Sequence, residues 1–326
     1  MPRVSVIIPC YNEETRIDAL LQAIVNQTYP LADIEVIIAD GMSTDHTRLL
    51  IENFKKAHPL PKIMVIDNPK RLIPAALNLA IRASSGELIT RLDAHTLPAT
   101  EYITRSVQAY DEGKGEDIGG VINIHPGSMT WLGKSISIAT RHPLGVGDAV
   151  YRWSKIAQYA DTVAFGTYAR KTFDEIGYYD ESLVANEDYE LNSRLRAAGG
   201  RIWVDPEIQA IYYSRPNLSS LARQYFTYGF YKLRMLKQHP HTLRWRQALP
   251  PLFVFGILML LLSSFIWSLA RVVFFSILFL YILILFAGSL PEAIKQGNWS
   301  LAPGISLAIM TMHFSWGVGF LWSIVK

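Results

Sequence analysis

Short apolar, β-branched runs recur along the first part of the chain, at Val4–Pro9, Glu35–Ala39, Ile63–Ile66, Leu88–Leu92 and Ile118–Ile124. Between them, apolar residues recur at helical spacing, at about Glu13–Asn26, Thr44–Ala57, Ile73–Ala83 and Pro98–Asp111. Strand–helix alternation predicts an α/β domain with a mainly parallel sheet. Ligands of such sheets bind beyond the carboxyl ends of the strands. The tails there are Pro9-Cys10-Tyr11-Asn12-Glu13, Asp40-Gly41, Asp67-Asn68 and Asp93-Ala94-His95, and three of the four open on an aspartate. A later helical stretch, Tyr189–Ala198, follows Asn186-Glu187-Asp188 and closes on Gly199-Gly200.

The pattern changes towards the carboxyl end. Leu249–Ala270, Val272–Leu290 and Asn298–Val325 carry no charge. A helix of ~20 apolar residues crosses ~30 Å of hydrocarbon, so about three transmembrane helices are expected, near 249–270, 272–290 and 299–325. Pro250 and Pro251 fit a first helical turn, and Arg271 marks a short connection that makes the first two spans a hairpin. Residues 217–238 place Leu218, Ala222, Phe226, Gly229, Leu233 and Leu236 at helical spacing, with bases and tyrosines on other faces. Such a basic, aromatic amphipathic helix before a span is expected to lie along the membrane interface. The run Val4–Pro9 is too short for a signal peptide and reads as a strand.

Charge sharpens the partition. Residues 1–207 hold 21 Lys/Arg and 27 Asp/Glu, whereas 208–246 hold seven bases and no acid. Three territories follow: a globular domain over 1–207, a basic interface region over 208–246 and a membrane anchor over 247–326. Arg244 and Arg246 before the first span predict a globular domain on the cytoplasmic side of the inner membrane, in a multi-pass protein. A net charge of only +3 argues against nucleic acid as partner. The single cysteine, Cys10, excludes an intrachain disulfide.

The first strand is followed by no Gly-x-Gly-x-x-Gly and the chain holds no P-loop, so no glycine cradle holds a phosphate here. Asp93 and His95, one residue apart in an extended segment, point the same way and could face one cation. Carboxylate with imidazole suits Mn²⁺, with Mg²⁺ also possible, and further oxygens would come from a diphosphate; a capping Asp with a surface His is the plain alternative. Glu187 and Asp188 at a helix start are held ionised by the helix dipole, and an ionised carboxylate can serve as general base or simply cap the helix. Arg141–Gly147 with Ala160–Gly166 reads as glycine-bearing loops. His46, His58, His125, His239, His241 and His313 form no ligand spacing, and His313 reads as a packing residue of the third span.

With these residues in place, the chain resembles the family 2 inverting glycosyltransferases. Val4–Glu14 is similar to the opening of that family, and Asp40-Gly41-Met42-Ser43-Thr44-Asp45 to its second nucleotide-contacting segment. Asp93-Ala94-His95 stands at its Asp-x-Asp metal motif and Glu187-Asp188 at its catalytic pair. His142–Gly147, Asp161-Thr162-Val163, Asn186-Glu187-Asp188 and Arg223-Gln224-Tyr225-Phe226 are similar to the succinoglycan/exopolysaccharide-biosynthesis glucosyltransferase branch.

The resemblance implies the GT-A fold, a nucleotide-sugar donor (a UDP-hexose) and a divalent cation, Mn²⁺ or Mg²⁺. It implies that Pro9, Tyr11, Asn12 and Glu13 line the nucleoside pocket, and that Asp40 contacts the base. Asp93 falls to the ribose–diphosphate region, and Arg71 and Asn78 lie near the donor. Asp93 and His95 would hold the metal; Asp188 would be the general base, with Glu187 beside it. The acceptor implied is a polyprenyl-type lipid-linked saccharide at the membrane. His95 departs from the family's second metal-motif aspartate. Thr227 and Tyr228 replace the Arg and Trp of processive members, which argues against a processive synthase. A non-catalytic nucleotide-sugar-binding scaffold is the alternative, against which the retained Asp40, Asp93 and Asp188 weigh.

Overall fold

The computed structural model describes residues 3–326 except the side chain of His241; residues 1 and 2 of the expected 1–207 domain and that histidine lie outside the described residues. The chain divides into two compact units. One comprises the residues up to Asn123 together with Val150–Tyr212, the other Ile124–Ala149 with Tyr213–Lys326. Residues 124–149 thus group with the carboxyl-terminal helices.

The first unit is built on β1 (Val4–Cys10), α1 (Ile17–Val25), β2 (Ile34–Asp40), α2 (Thr47–Ala57), β3 (Lys62–Asp67), α3 (Ile73–Ala83) and β4 (Leu88–Arg91). It continues with β5 (Leu97–Pro98), α4 (Tyr102–Asp111) and β6 (Asp117–His125), whose end reaches the second unit. The second unit then contributes α5 (Trp131–Ala139) and α6 (Pro143–Val146). Back in the first unit follow β7 (Gln158–Tyr159), β8 (Ala164–Ala169), α7 (Arg170–Ile176), α8 (Glu187–Ala197) and β9 (Ile202–Tyr213). The strands form one sheet in the order β3-β2-β1-β4-β8-β6-β9-β5, with β7 on β9.

Strands β3, β2, β1 and β4 are parallel, as their crossover helices require. The β4–β8, β6–β8, β5–β9 and β7–β9 pairs are antiparallel. The sheet is therefore parallel in one half and mixed in the other. The antiparallel strands were hidden because they lack plain apolar runs: β8 reads Ala-Phe-Gly-Thr-Tyr-Ala and β9 carries Asp205-Pro206-Glu207 in its middle.

Strand β2 is buried from end to end, so Glu35 within it needs partners. Its Oε1 accepts Ser5 Oγ at 2.6 Å and the amides of Ser85 at 2.5 Å and Gly86 at 3.2 Å. One carboxylate thereby ties β1, β2 and the entry to β4. Above this sheet Ile7, Ile37 and Ala39 pack with Leu77, Ala80 and Ile81 of α3 and with Leu191 of α8. Helix α3 opens with Pro74 in its first turn, where a missing N–H costs nothing.

The second unit holds α5, α6, α9 (Leu218–Gln238), α10 (Trp245–Ser264), α11 (Ser268–Lys295) and α12 (Leu301–Val325). The last three, of 20, 28 and 25 residues, are long and apolar enough to cross a membrane. Their core joins Ile136 and Ala139 of α5, Leu221 and Tyr225 of α9, and Ile305, Ile309 and Met312 of α12. Helices α9 and α12 meet at glycines: a Cβ on Gly229 would stand 2.1 Å from the Trp316 carbonyl oxygen, and one on Gly319 2.1 Å from that of Phe226. Asp148 accepts from Arg244 at 2.6 Å and from Arg246, fastening its loop to the start of α10.

Two local expectations are corrected. Helix α10 begins at Trp245, because the Arg244 amide donates to Gln247 Oε1 at 3.1 Å, so Pro250 and Pro251 lie inside the helix rather than in its first turn. Pro251 cannot donate back to the Gln247 carbonyl, and Trp316 Nε1–H donates to that oxygen instead, at 3.1 Å. Arg271 is not the connection between the first two apolar helices; it lies in the first turn of α11 and donates to the Ser264 carbonyl at 3.1 and 3.3 Å. His313 has the packing role expected: its Nε2–H donates to the Leu144 carbonyl at 2.9 Å, which leaves Nδ1 to accept from Tyr281 at 3.0 Å.

Burial pushes the Glu35 carboxyl up, but its hydrogen bonds outweigh that and hold it below its ordinary value. The stabilisation is present above the unfolded-state value of about 4.3 and is lost as pH falls through the lower folded value. Glu35→Ala is expected to destabilise the chain by about 3 kcal/mol, since buried donors lose their acceptor. Thermal unfolding at neutral pH checks this, and Glu35→Gln removes part of the acid-side loss.

Candidate active site

The sheet register sets the site. Cys10 pairs with Asp40, and Asp40 with Asp67, so the tails of β1, β2 and β3 end side by side. Beyond them the chain turns on strained residues. Asn12, Met42 and Arg71 there, and Asn186 just ahead of α8, take left-handed backbone angles, with φ of 53°, 61°, 55° and 67°. Strain of this kind gathers where surrounding bonds over-determine a functional segment. Asn12 shows how: its amide donates to Ser43 Oγ and its Oδ1 accepts from the Thr44 amide, both at 2.9 Å.

At the β2 tail Asp40 is fully buried. Its oxygens accept the Ser43 amide at 3.0 Å, the Ser43 hydroxyl, and Arg48 Nε at 2.5 Å. Arg48 Nη2 continues to Asp67 Oδ1 at 2.6 Å, so one guanidinium joins the tails of β2 and β3. Tyr11 is exposed, with the Arg71 guanidinium 5.4 Å from its ring centre. Asn78 is buried and committed to protein partners. Its Nδ2 donates to the Tyr179 carbonyl at 2.9 Å and to Glu181 at 3.0 Å, and its Oδ1 accepts the Tyr179 amide at 2.9 Å.

The β4 tail meets the start of α8 through a residue that the motifs did not flag. Arg91, last in β4, is buried. Its Nε donates to Asp93 Oδ1 at 3.1 Å; its Nη1 donates to Glu187 Oε1 at 3.1 Å and to Asp188 Oδ1. Three acidic candidates therefore share one guanidinium. The available signal was a lone base inside the apolar run Leu88-Ile89-Thr90-Arg91-Leu92.

Burial pushes Glu187 up to about 7; the Arg91 charge pulls it back and the Asp188 charge raises it again. Asp188 is likewise raised by burial and by Asp93, against the pull of Arg91. Burial thus works against the helix dipole that was expected to keep both ionised.

His95 Nδ1 meets Glu13 Oε1 at 3.2 Å, tying the β1 and β4 tails. Burial lowers the imidazole, but the bond to Glu13 and the charges of Asp93 and Glu13 outweigh it and raise it above its ordinary value. Such a field also favours a cation. A carboxylate on Nδ1 fixes the ring and leaves Nε2 as the metal-binding nitrogen, the usual outer-shell arrangement. Among the described residues no three His, Cys, Asp or Glu side chains gather into a metal-holding group. Asp93 and His95 would suit a cation only together with further oxygen ligands, of the kind a diphosphate could supply.

Helix α8 is held from behind. Tyr168 donates to Asn192 Oδ1 at 2.9 Å, and Asn192 donates to Thr162 Oγ1 at 3.0 Å. The buried Asp117 lies alongside, where a Cβ on Gly166 would come within 2.1 Å of its Oδ1. Burial drives the Asp117 carboxyl well above its ordinary range. The two glycine-bearing loops separate: Ala160–Gly166 belongs to this unit and Arg141–Gly147 to the helical one.

The model of glycosyl transferase family 2 matches residues 5–176, more than half of the chain. The chain belongs to glycosyltransferase family 2. It is 28% identical over 329 residues to the dolichyl N-acetyl-alpha-D-glucosaminyl phosphate 3-beta-D-2,3-diacetamido-2,3-dideoxy-beta-D-glucuronosyltransferase of Methanococcus voltae, covering 99% of this chain and 97% of that one. It is 29% identical over 327 residues to the succinoglycan biosynthesis protein ExoA of Rhizobium meliloti, covering 97% and 93%. Among solved structures, the mannosyltransferase PcManGT from Pyrobaculum calidifontis, in complex with GDP-Man and Mn²⁺, superposes with a TM-score of 0.66 at 18% identity, over 98% of this chain and 87% of that one. The GT-A fold is thereby shared, and this glycosyltransferase is similar to the exopolysaccharide branch.

In this glycosyltransferase the Arg91 fork is expected to be sensitive to geometry. Arg91→Lys keeps a charge but not the branched set of donors, and should lower transfer about 100-fold, the scale of an ångström-sized misplacement. Steady-state transfer by the folded variant measures it; a wild-type rate would show that the fork is dispensable.

Proposed function

We propose that the protein is a membrane-anchored inverting hexosyltransferase. It moves a hexose from a nucleotide-sugar, a UDP-sugar, to a hydroxyl of a lipid-linked saccharide in polysaccharide or glycolipid biosynthesis. The observation that carries this reading is the Arg91 fork, which joins the donor-side Asp93 to the base-side Asp188. The donor class draws support from the family and from the GDP-Man held by the Pyrobaculum mannosyltransferase. The acceptor class draws support from the dolichyl phosphate sugar for which the Methanococcus relative is named and from the apolar helices.

Donor binding falls to the strand tails. Pro9, Tyr11, Asn12 and Glu13 line the nucleoside side, with Asp40 towards the base and Asp93 towards the diphosphate. Arg71 flanks the pocket through Tyr11, and Asn78 acts from behind through Tyr179. Asp93 and His95 would hold a divalent cation, Mn²⁺ or Mg²⁺, which when bound neutralises charge on the departing diphosphate. Asp188 takes the proton of the acceptor hydroxyl. The freed oxygen bonds to the anomeric carbon as the bond from that carbon to the diphosphate oxygen breaks, and a single displacement inverts the configuration. A carboxylate whose affinity for protons is raised by burial is the better base near neutrality. Arg91 keeps it aimed, and Glu187 shares the guanidinium. The bases at Arg244 and Arg246 favour a catalytic unit on the cytoplasmic face of the inner membrane.

Asp188→Asn should abolish transfer, by about 10²- to 10⁴-fold, while the affinity for UDP-hexose persists. Turnover and calorimetric donor binding on the same preparation separate the two; normal turnover would remove the base assignment. Excess chelator should stop transfer and added Mn²⁺ or Mg²⁺ restore it, and undiminished rates in chelator would exclude the cation.

A further inference from the structure

Tyr179, in the segment between α7 and α8, is only 3% exposed, and its hydroxyl has no hydrogen-bond partner among the described residues. A buried hydroxyl left unpaired works against the fold. The packing of the ring does not call for it. The ring lies with Leu77 of α3, Phe173 of α7 and Leu191 of α8, its centre 6.2 Å from that of Phe173. A phenylalanine would fill that space without burying an unpaired oxygen.

The position of the hydroxyl is fixed from two sides. Asn78 of α3 accepts the Tyr179 amide and donates to the Tyr179 carbonyl, both at 2.9 Å. The preceding carbonyl, of Tyr178, accepts from Arg194 Nη2 at 2.7 Å, and Arg194 belongs to α8, where its Nε donates to Glu190 at 2.6 Å. Tyr179 is therefore fastened to the same helix whose first turn carries Asp188.

The groups around the phenol come from every element of the site. Burial raises it, and among the surrounding charges that of Asp188 adds most, ahead of Asp117 of β6 and of Glu187, with Arg91 of β4 opposing. The influence is mutual. Burial raises the Asp188 carboxyl, Arg91 opposes this and Asp93 adds to it, and the Tyr179 hydroxyl is among the groups that draw it back. Each carboxylate oxygen has two lone pairs, so Arg91 and Tyr179 can both donate to Asp188 and still leave a lone pair for an incoming proton. Hydrogen bonds at a general base are often long until substrate engages, and they tighten in the working complex.

We propose that Tyr179 is a positioning residue for the transfer: its hydroxyl donates to the Asp188 carboxylate when the acceptor hydroxyl engages that base. Arg91 then holds the carboxylate from β4, and Tyr179 holds it from the core beneath α8. The unpaired hydroxyl is a donor kept in place for that complex, and Asn78 acts on the reaction at one remove by fixing the residue that bears it. This rests on Asp188 as the general base.

Tyr179→Phe in the full chain removes the oxygen and little else. The kcat for transfer is expected to fall about 10- to 100-fold, the scale of one hydrogen bond to a charged group. The KM for the nucleotide-sugar and its calorimetric affinity stay as in the wild type, and the melting temperature is unchanged or higher. Placed on top of Asp188→Asn, the same substitution should lower the residual rate little further, because the group it serves is gone. A wild-type kcat in Tyr179→Phe would overturn the proposal. So would a lowered melting temperature, which would make the hydroxyl a bond of the fold, or the full loss repeated in the Asp188→Asn background. Normal turnover by Asp188→Asn alone would instead remove the base assignment on which the proposal rests.

Discussion

A buried guanidinium organises the catalytic unit. Arg91 could not be left dry without partners, because an unpaired buried charge is among the costliest groups a protein can carry. Asp93, Glu187 and Asp188 supply those partners from two separate elements, the β4 tail and the first turn of α8. The pairing works in both directions: without the arginine three acids would crowd together, and without the acids the strand could not hold an arginine. One guanidinium facing three carboxyl groups leaves this end of the sheet rich in acidic oxygens. It also explains why burial raises Glu187 and Asp188 while leaving them bound to one another through the same group.

The same device recurs at the tails of β2 and β3. Arg48 reaches from α2 to Asp40 and Asp67 and closes the tails of β2 and β3 into one edge. Asp40 is thereby a fully engaged residue whose oxygens already serve Ser43 and Arg48. Its value to the pocket is to set the loop after β2, together with the Asn12 bonds that fix the loop after β1. Two arginines thus fix three strand ends, those of β2, β3 and β4, and neither belongs to a motif that chemistry would pick out in isolation.

Much of the parallel half of the fold was legible because β1 to β4 are short runs dominated by apolar residues and α3 is bounded by Pro74 and Ser84. The spacing of Asp93 from His95, and of Glu187 from Asp188, was enough to nominate an acidic site. Arg91 and Arg48 escaped notice because their partners lie far along the chain, and periodicity reports only local neighbours. Strand β9 was hidden by its own Asp205-Pro206-Glu207, which reads as a turn. The boundary between units was obscured for a related reason: α5 and the Arg141–Gly147 stretch that holds α6 fall within residues 1–207, and their apolar residues reveal their partners only when α12 is in place. The start of α10 shifted because Gln247 caps the helix, a side-chain bond that hydropathy does not register.

The paired prolines of α10 have a mechanical consequence. A helix interrupted this way would ordinarily be a loose joint, free to lean as the bilayer thickens or thins. Here the oxygen orphaned by Pro251 is caught by the indole of Trp316, one turn from where Gly317 sits against the Pro250 carbonyl. The joint is therefore pinned at its lower end. Any lean of the helix is therefore confined to its far end, around Phe265 and Trp267, and does not reach back to the helices that flank α12.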